Sequence, residues 1–349
     1  MSAEVEATDG AACPVCAEPS APGAQWCEAC GASIDGEVGA ITGPPCIDCG
    51  ADHSEIVEGY CSVCGRKQPG ERDHLSETLD GIAAVTDRGL RHSKNEDAFA
   101  IGRSGDALVA IVCDGVSTTS KPEDISLAAA VAARDEIVAA LDSGDTDIEA
   151  LLVRATEVAQ AAATAAAVPD DPNPGAATYV ATVVRPTPDG VVRSWTAWLG
   201  DSRAYWLHGD EVTQLTTDDV WWREQVAEEL LSEDDALADP RAQSITRWLG
   251  ADAVISTPTI QEAEHDPGGR LLVCSDGLWK YLPAESDVAA KIVELALDDS
   301  GQLAEELVAF ALERGGHDNT TVVIGDPGFG GSVMMVEVGN GPMGNGEKR

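Results

Sequence analysis

Eight of the ten cysteines fall within the first 64 residues, and they fall in pairs. The pairs are Cys13-x2-Cys16, Cys27-x2-Cys30, Cys46-x2-Cys49 and Cys61-x2-Cys64, with 10 residues between the first two pairs and 11 between the last two. The same unit is thus written twice. A CxxC turns two sulfurs toward one point about 2.3 Å from each, and two such knuckles close a tetrahedron around zinc. Gly31, Gly50 and Gly65 follow three of the knuckles, where a tight turn needs positive φ. The competing reading is a disulfide-stapled secreted module. The opening residues MSAEVEATDG are acidic and lack an apolar stretch, so no secretory signal is expected, and the cysteines are expected to stay reduced in a cytoplasmic protein. Two structural zinc ions are therefore predicted, one on Cys13, Cys16, Cys27 and Cys30, the other on Cys46, Cys49, Cys61 and Cys64.

Charge narrows what such a module can contact. The chain carries 61 acidic and 22 basic side chains, a formal net charge of −39. Before Arg66 there are 11 Asp and Glu and no Lys or Arg. A reader of nucleic acid needs the opposite sign, so no nucleic-acid partner is expected. No run of 18 apolar residues is present, and no membrane partner is expected either. Residues 13–65 resemble the double zinc ribbon family, and the resemblance implies a protein-contact module. A small cap without a partner is the alternative. Residues 1–12 read as a disordered start and 66–80 as a polar linker holding Pro69 and Gly70. Residues 327–349 read as a Gly-rich tail.

Between 81 and 326 the periodicity alternates. Strand-like runs lie at 107–114, 177–185, 191–200, 203–209, 211–216, 256–264, 270–276 and 319–326, and helical runs at 122–142, 147–168, 220–232, 284–298 and 302–314. The strands between 177 and 216 are joined by turn strings such as PTPDG and HGD, which favours antiparallel hairpins. Two helices follow one early strand and two precede the last. That order predicts an α+β fold, an antiparallel β-sandwich flanked by helices, and not a regular βαβ repeat.

The chemistry-bearing residues are acidic and stand where strands stop. They are Asn95-Glu96-Asp97, Asp114-Gly115, Gly200-Asp201, Asp276-Gly277 and Asp318-Asn319. Any one Asp-Gly after a strand is most often a turn. Together they bring at least five carboxylates to core strand ends, which a sandwich can gather at one edge. Carboxylates packed so closely do not all ionise unless a cation joins them, and hard oxygen ligands select Mg2+ or Mn2+.

Six strings, NEDAF at 95–99, VCDG at 112–115, GDSRAY at 200–205, ITRWLG at 245–250, LLVCSDGLW at 271–279 and GGHDNTTVVI at 315–324, resemble the metal-dependent serine/threonine protein phosphatases of type 2C. They occur in that family's order. The resemblance implies an αββα sandwich over residues 81–326 and two Mg2+ or Mn2+ ions. It also implies hydrolysis of phosphoserine and phosphothreonine in proteins phosphorylated by a Ser/Thr kinase, by a metal-bridging hydroxide and without a covalent phosphoenzyme. By the same resemblance Asp114 would bridge the ions and the Gly115 carbonyl would ligate one of them. Asp276 and Asp318 would complete the other ion, Glu96 and Asp97 would hold waters on the first, and Asp201 would belong to a third, weaker site.

The chain departs from the family pattern in three places. A phosphate-binding arginine is common four positions before Glu96; here that position is His92, with Arg91 beside it, and both are candidate substrate-binding residues. Val116-Ser117-Thr118-Thr119 follows Asp114-Gly115, so a proposed general-acid histidine is missing. Lys280 stands four after Asp276, where many members carry another acidic ligand. These departures motivate an alternative, a catalytically weak adaptor that binds a phosphosite without cleaving it. Cys113 and Cys274 read as small buried strand residues.

Overall fold

The structure is a computed structural model, and it describes residues 45–46, 49–57, 59–66, 68 and 70–328. The expected first zinc site, on Cys13, Cys16, Cys27 and Cys30, lies outside the described residues, as do the expected disordered start at 1–12 and residues 329–349 of the expected tail. The chain divides into two units, Met1–Gly70 and Glu71–Arg349.

In the first unit, β1 (Ile56–Val57) and β2 (Tyr60–Cys61) form an antiparallel ribbon. Each described CxxC closes on itself in the same way. Gly50 N–H donates to the Cys46 carbonyl and Gly65 N–H to the Cys61 carbonyl, both at 2.8 Å. Gly50 and Gly65 take φ of +71° and +73°, the left-handed turn that their place after the knuckles predicts.

The second unit opens with β3 (His74–Leu79), β4 (Ile82–Asp87), β5 (Ala98–Ser104) and β6 (Ala107–Cys113). Helices α1 (Pro122–Asp142) and α2 (Ile148–Ala166) follow, then β7 (Ala176–Ala177), β8 (Tyr179–Pro186), β9 (Val192–Leu199), β10 (Arg203–His208) and β11 (Glu211–Gln214). Short helices α3 (Trp221–Ala227) and α4 (Glu233–Leu237) lead to β12 (Leu249–Gly250), β13 (Thr259–His265) and β14 (Arg270–Cys274). The chain closes with α5 (Asp276–Trp279), α6 (Glu285–Leu295), α7 (Ser300–Glu313) and β15 (Thr320–Gly325). One sheet has the order β11-β10-β14-β15-β4-β3 and the other β13-β9-β8-β6-β5, and every neighbouring pair is antiparallel.

Three apolar layers make this a four-layer αββα sandwich. Strand β6 explains how. Its Val109, Ile111 and Cys113 pack with Ala129 and Ala133 of α1 and Leu152 of α2. Its Leu108, Ala110 and Val112 pack with Val273 and Val323 of the other sheet. Both faces are covered, so ALVAIVC is apolar throughout instead of alternating. On the far side, Leu303, Leu307 and Val308 of α7 and Val288 and Ile292 of α6 cover Val85, Leu272, Val322 and Ile324. The alanine-rich faces of α1 and α2 meet through Ala130, Ala155 and Ala159, and side chains this small allow the two helices to lie close.

The antiparallel sandwich flanked by helices matches the expectation; several elements differ in detail. Residues 66–80 are not all linker, because β3 pairs with β4 from His74↔Asp87 to Leu79↔Ile82. Its residues are exposed almost throughout, so its sequence HLSETL looks like loop. The helix expected over 220–232 ends at Ala227; the chain turns at Glu229, with φ +58°, before α4 starts behind a Ser232 cap. The helix expected over 284–298 ends at Leu295, where Ala296 turns left-handed.

Candidate active site

The acidic strings meet because strands of both sheets begin or end at the same edge of the sandwich. Asp97 immediately precedes β5, Asp114 follows β6, and Asp201 lies between β9 and β10. Asp276 opens α5 just beyond β14, and Asp318 stands two residues before β15. A cleft of about 670 Å³ runs along this edge, lined by Asp114, Gly115, Asp201, Asp276, Lys280 and Asp318 among others. Trp222, Leu237, Ser244 and Ile245, from the α3–α4 region and the loop after it, form a second wall.

Asp97 is the most tightly held. Its Oδ2 accepts from Ser275 Oγ and Thr321 Oγ1, each at 2.7 Å. Its Oδ1 is buried and has no partner. Burial pushes its carboxyl up to about 7; the two hydroxyls pull it back, and Asp276 and Asp318 push it further. Asp114 is raised well above the carboxylate range, by burial first and then by Asp97, Asp276, Asp201 and Asp318. Asp201 is pushed to about 7 by burial and by Asp276 and Asp218. Asp276 is raised by burial, with Lys280 opposing and Asp318 adding to the rise. Four carboxyls that resist ionisation at one spot form a deficit of positive charge, and the orphaned Oδ1 atoms of Asp97 and Asp276 lack partners. A divalent cation fits that donor set, all oxygen and all acidic.

Neighbouring groups fix these residues in place. The backbone N–H of Asp114 donates to Thr178 Oγ1 at 3.0 Å, and Thr178 Oγ1 meets Ser202 Oγ at 2.7 Å. A Cβ on Gly115 would stand 2.6 Å from the Glu96 carbonyl and 2.9 Å from Pro122 Cβ, so only glycine fits where these loops cross. Glu96 accepts from Ser117 Oγ, and its N–H donates to Asn319 Oδ1 at 2.8 Å. Of the two candidate phosphate-binding residues, His92 faces the acids. Its Nε2 lies 3.2 Å from Asp318 Oδ1 and its Nδ1 3.9 Å from Glu96 Oε2. Arg91 is exposed, and neither residue is among those lining the cleft. Arg203 does line it, yet its guanidinium is committed to Asp218 at 2.9 and 2.7 Å and stacks 3.7 Å over Trp279.

The sequence assigns no role to Ser275, Thr321, Asn319 or Thr178. Hydroxyls and amides at these places carry no spacing signature; the signal available for Ser275 and Asn319 was their adjacency to Asp276 and Asp318. Cys113 and Cys274 are fully buried, and burial pushes the Cys274 thiol up to about 12, in keeping with their reading as packed strand residues.

In the first unit the described thiols converge. Cys46 Sγ lies 3.6 Å from Cys64 Sγ and Cys49 Sγ 3.6 Å from Cys61 Sγ. All four sulfurs lie within 4.8 Å of one another, which no other group of potential ligands achieves among the described residues. A tetrahedron with metal–sulfur bonds of about 2.3 Å has edges of roughly 3.8 Å. Among the described residues, no helix is long and apolar enough to cross a membrane.

Known proteins share the second unit. Residues 88–310 match the protein phosphatase 2C family. The serine/threonine protein phosphatase PstP of Mycobacterium tuberculosis is 31% identical over 246 residues, which is 70% of this chain and 44% of PstP. The serine/threonine phosphatase stp of Listeria innocua is 32% identical over 129 residues, 36% of this chain and 48% of that protein. The chain thus spans about half the length of the curated relatives it matches. Among solved structures, PstP from M. tuberculosis superposes with a TM-score of 0.52 at 30% identity, covering 70% of this chain and 97% of that one. The PstP catalytic domain in complex with 2 manganese ions gives 0.51 at 29%, covering 72% and 98%. The serine/threonine phosphatase of S. agalactiae gives 0.54 at 25%, covering 72% and 98%. These phosphatase structures share the αββα sandwich of the second unit. This chain belongs to the protein phosphatase 2C family.

Proposed function

We propose that the chain hydrolyses phosphoserine and phosphothreonine in proteins, using two Mg2+ or Mn2+ ions. The observation that carries this reading is the convergence of Asp97, Asp114, Asp276 and Asp318, two of them with an unpartnered buried oxygen. Asp114, the Gly115 carbonyl, Asp276 and Asp318 would hold the ions, with Glu96 and Asp97 around them and Asp201 at the side. Bound there, a pair of divalent cations supplies an ionised water as nucleophile and neutralises charge on the phosphoryl oxygens.

The chain's own residues do the rest. Ser275 and Thr321 fix Asp97, and Asn319 fixes Glu96, so the acids are aimed before substrate arrives. His92, held against Asp318, is the candidate hand on the phosphate, a role in which Arg91 is the less favourably placed of the two. Trp222, Leu237 and Ile245 give the cleft an apolar wall for the side chain that bears the phosphate. The thiols of the first unit hold structural zinc in this reading, with a second ion on Cys13, Cys16, Cys27 and Cys30. The tandem ribbon serves as a protein-contact or regulatory module, and reduced thiols suit the cytoplasm. Metal analysis of the purified protein then finds two zinc ions per chain, and one fewer in Cys46→Ser.

The deciding assay is phosphate release from a phosphothreonine peptide with Mn2+, with Mg2+ and without added metal. Metal-dependent turnover that disappears in Asp276→Asn is the expected result. A second reading is favoured by one contact: Lys280 bonds Asp276 and also faces Asp318, where a cation is needed. A folded protein that binds the phosphopeptide and releases no phosphate with either metal would establish that reading, the phosphosite-binding adaptor, and end the proposal of an enzyme.

A further inference from the structure

Lys280 follows α5 directly, four residues after Asp276. Its ammonium bonds Asp276 Oδ2 and lies 3.5 Å from Asp318 Oδ2. The side chain is half exposed while Asp276 is 13% exposed, so the charge reaches in from the rim to an acid largely withdrawn from water. The turn that carries it is pinned: Lys280 N–H donates to the Asp276 carbonyl at 3.0 Å, and the indole Nε1 of the neighbouring Trp279 donates to the Asp201 carbonyl at 2.8 Å. Among the described residues that line the cleft, Arg203 is the other cation, and Asp218 occupies it on two sides. Lys280 is therefore the charge that answers the acids of this edge, and it answers only part of them. Asp276 Oδ1 keeps no partner, and the carboxylates do not close to the spacing that the four thiols reach.

We infer that Lys280 is a tethered competitor for divalent cations. It holds Asp276 and Asp318 in the metal-free protein, and it must swing toward solvent before an ion can take those oxygens. A divalent ion and an ammonium within a few ångströms repel, and the ion pair broken on loading is partly buried, so both effects oppose binding. The lysine raises the concentration of metal at which the site fills and keeps the empty site from flying apart. The inference rests on the proposed metal role of these acids.

The test is calorimetric titration of Mn2+ into full-length protein freed of Mn2+ and Mg2+ by dialysis with its zinc retained, alongside thermal unfolding with and without Mn2+. Lys280→Met is expected to bind Mn2+ about tenfold more tightly than the wild type, the scale of removing one partly exposed charge. Lys280→Arg, which retains the charge, is expected to stay close to wild type. Metal-free Lys280→Met is expected to melt below the wild type, and the Mn2+-saturated variant at or above it. Equal or weaker Mn2+ binding by Lys280→Met would overturn the inference. Asp276→Asn separates the two levels: if it weakens Mn2+ binding while Lys280→Met changes nothing, the metal site stands and the role of Lys280 falls. If Asp276→Asn binds as wild type does, both fall.

Discussion

Asn319 does for the loops what the carboxylates cannot. Its Nδ2 donates to the carbonyls of Arg88 at 2.7 Å and Lys94 at 3.0 Å, and its Oδ1 accepts from the Glu96 N–H at 2.8 Å. One amide thus ties residues 88–96 to the start of β15, with donor and acceptor both in use. The residue is 3% exposed, so water does not replace these partners when they are lost. Asn319→Ala leaves three main-chain groups unpaired and is expected to destabilise the unit by about 2–4 kcal/mol, read from urea unfolding. Glu96 loses its anchor at the same time, so turnover on a phosphothreonine peptide is expected to fall by more than the folded fraction does. Asn319→Asp retains the shape but turns a carboxylate oxygen onto two carbonyls, and is expected to be no better than alanine. An unfolding midpoint unchanged in Asn319→Ala would refute the tie. The sequence places Asp318-Asn319 at the site through the aspartate; the work of the asparagine became visible only once residues 231 positions apart were seen in contact.

Elements differ in how plainly the sequence declares them. Strands β6, β14 and β15 are rich in Val, Ile and Leu because helices or the other sheet cover both faces, and such runs read directly. Strand β4 is IAAVTD and β5 is AFAIGRS, and alanine and glycine carry little strand preference, so tertiary burial forms them instead. Strand β3 is an exposed sheet edge and has no apolar face to advertise. The end of β13 illustrates what packing adds beyond pattern. His265 stacks on Trp206 of the opposite sheet, with ring centroids 4.1 Å apart, and its Nε2 lies 2.7 Å from Ser194 Oγ on β9. Burial lowers its pKa from 6.5 to about 4. Above pH 6.5 the ring is neutral in folded and unfolded chains alike. Between about 6.5 and 4 the unfolded chain takes up the proton and the folded one does not, so this residue's contribution declines as pH falls and levels off below about 4. The stability advantage of wild type over His265→Gln, measured by urea unfolding, is expected to shrink as pH goes from 7 to 4. A constant advantage over that range would show that the ring does not titrate differently in the two states.

At the scale of the molecule, the two units draw on separate sources of stability. All three apolar layers of the second unit are built from its own described residues after 78. The first unit buries Cys46 and Cys61 and little else apolar among its described residues, which is the position of a small domain that depends on a metal. Its charge has the same logic. All 22 Lys and Arg follow residue 65, so the preceding segment holds −11 of the total −39 and the remainder −28. In the proposed reading, this acidic unit folds around its own metal and acts on a partner. Deleting residues 1–70 is accordingly expected to leave the second unit folded, with its unfolding midpoint kept to within about 0.5 kcal/mol and its turnover on a small aryl phosphate unchanged. Exposure to a zinc chelator is expected to alter full-length protein in the first unit while the truncated chain, restored to Mn2+, shows no lasting change. Far-ultraviolet circular dichroism and aryl phosphate hydrolysis on the two chains in parallel read both effects. A truncated chain that fails to fold, or that folds and loses aryl phosphate turnover, would mean that the thiol-bearing unit is part of the catalytic fold and not a module attached to it.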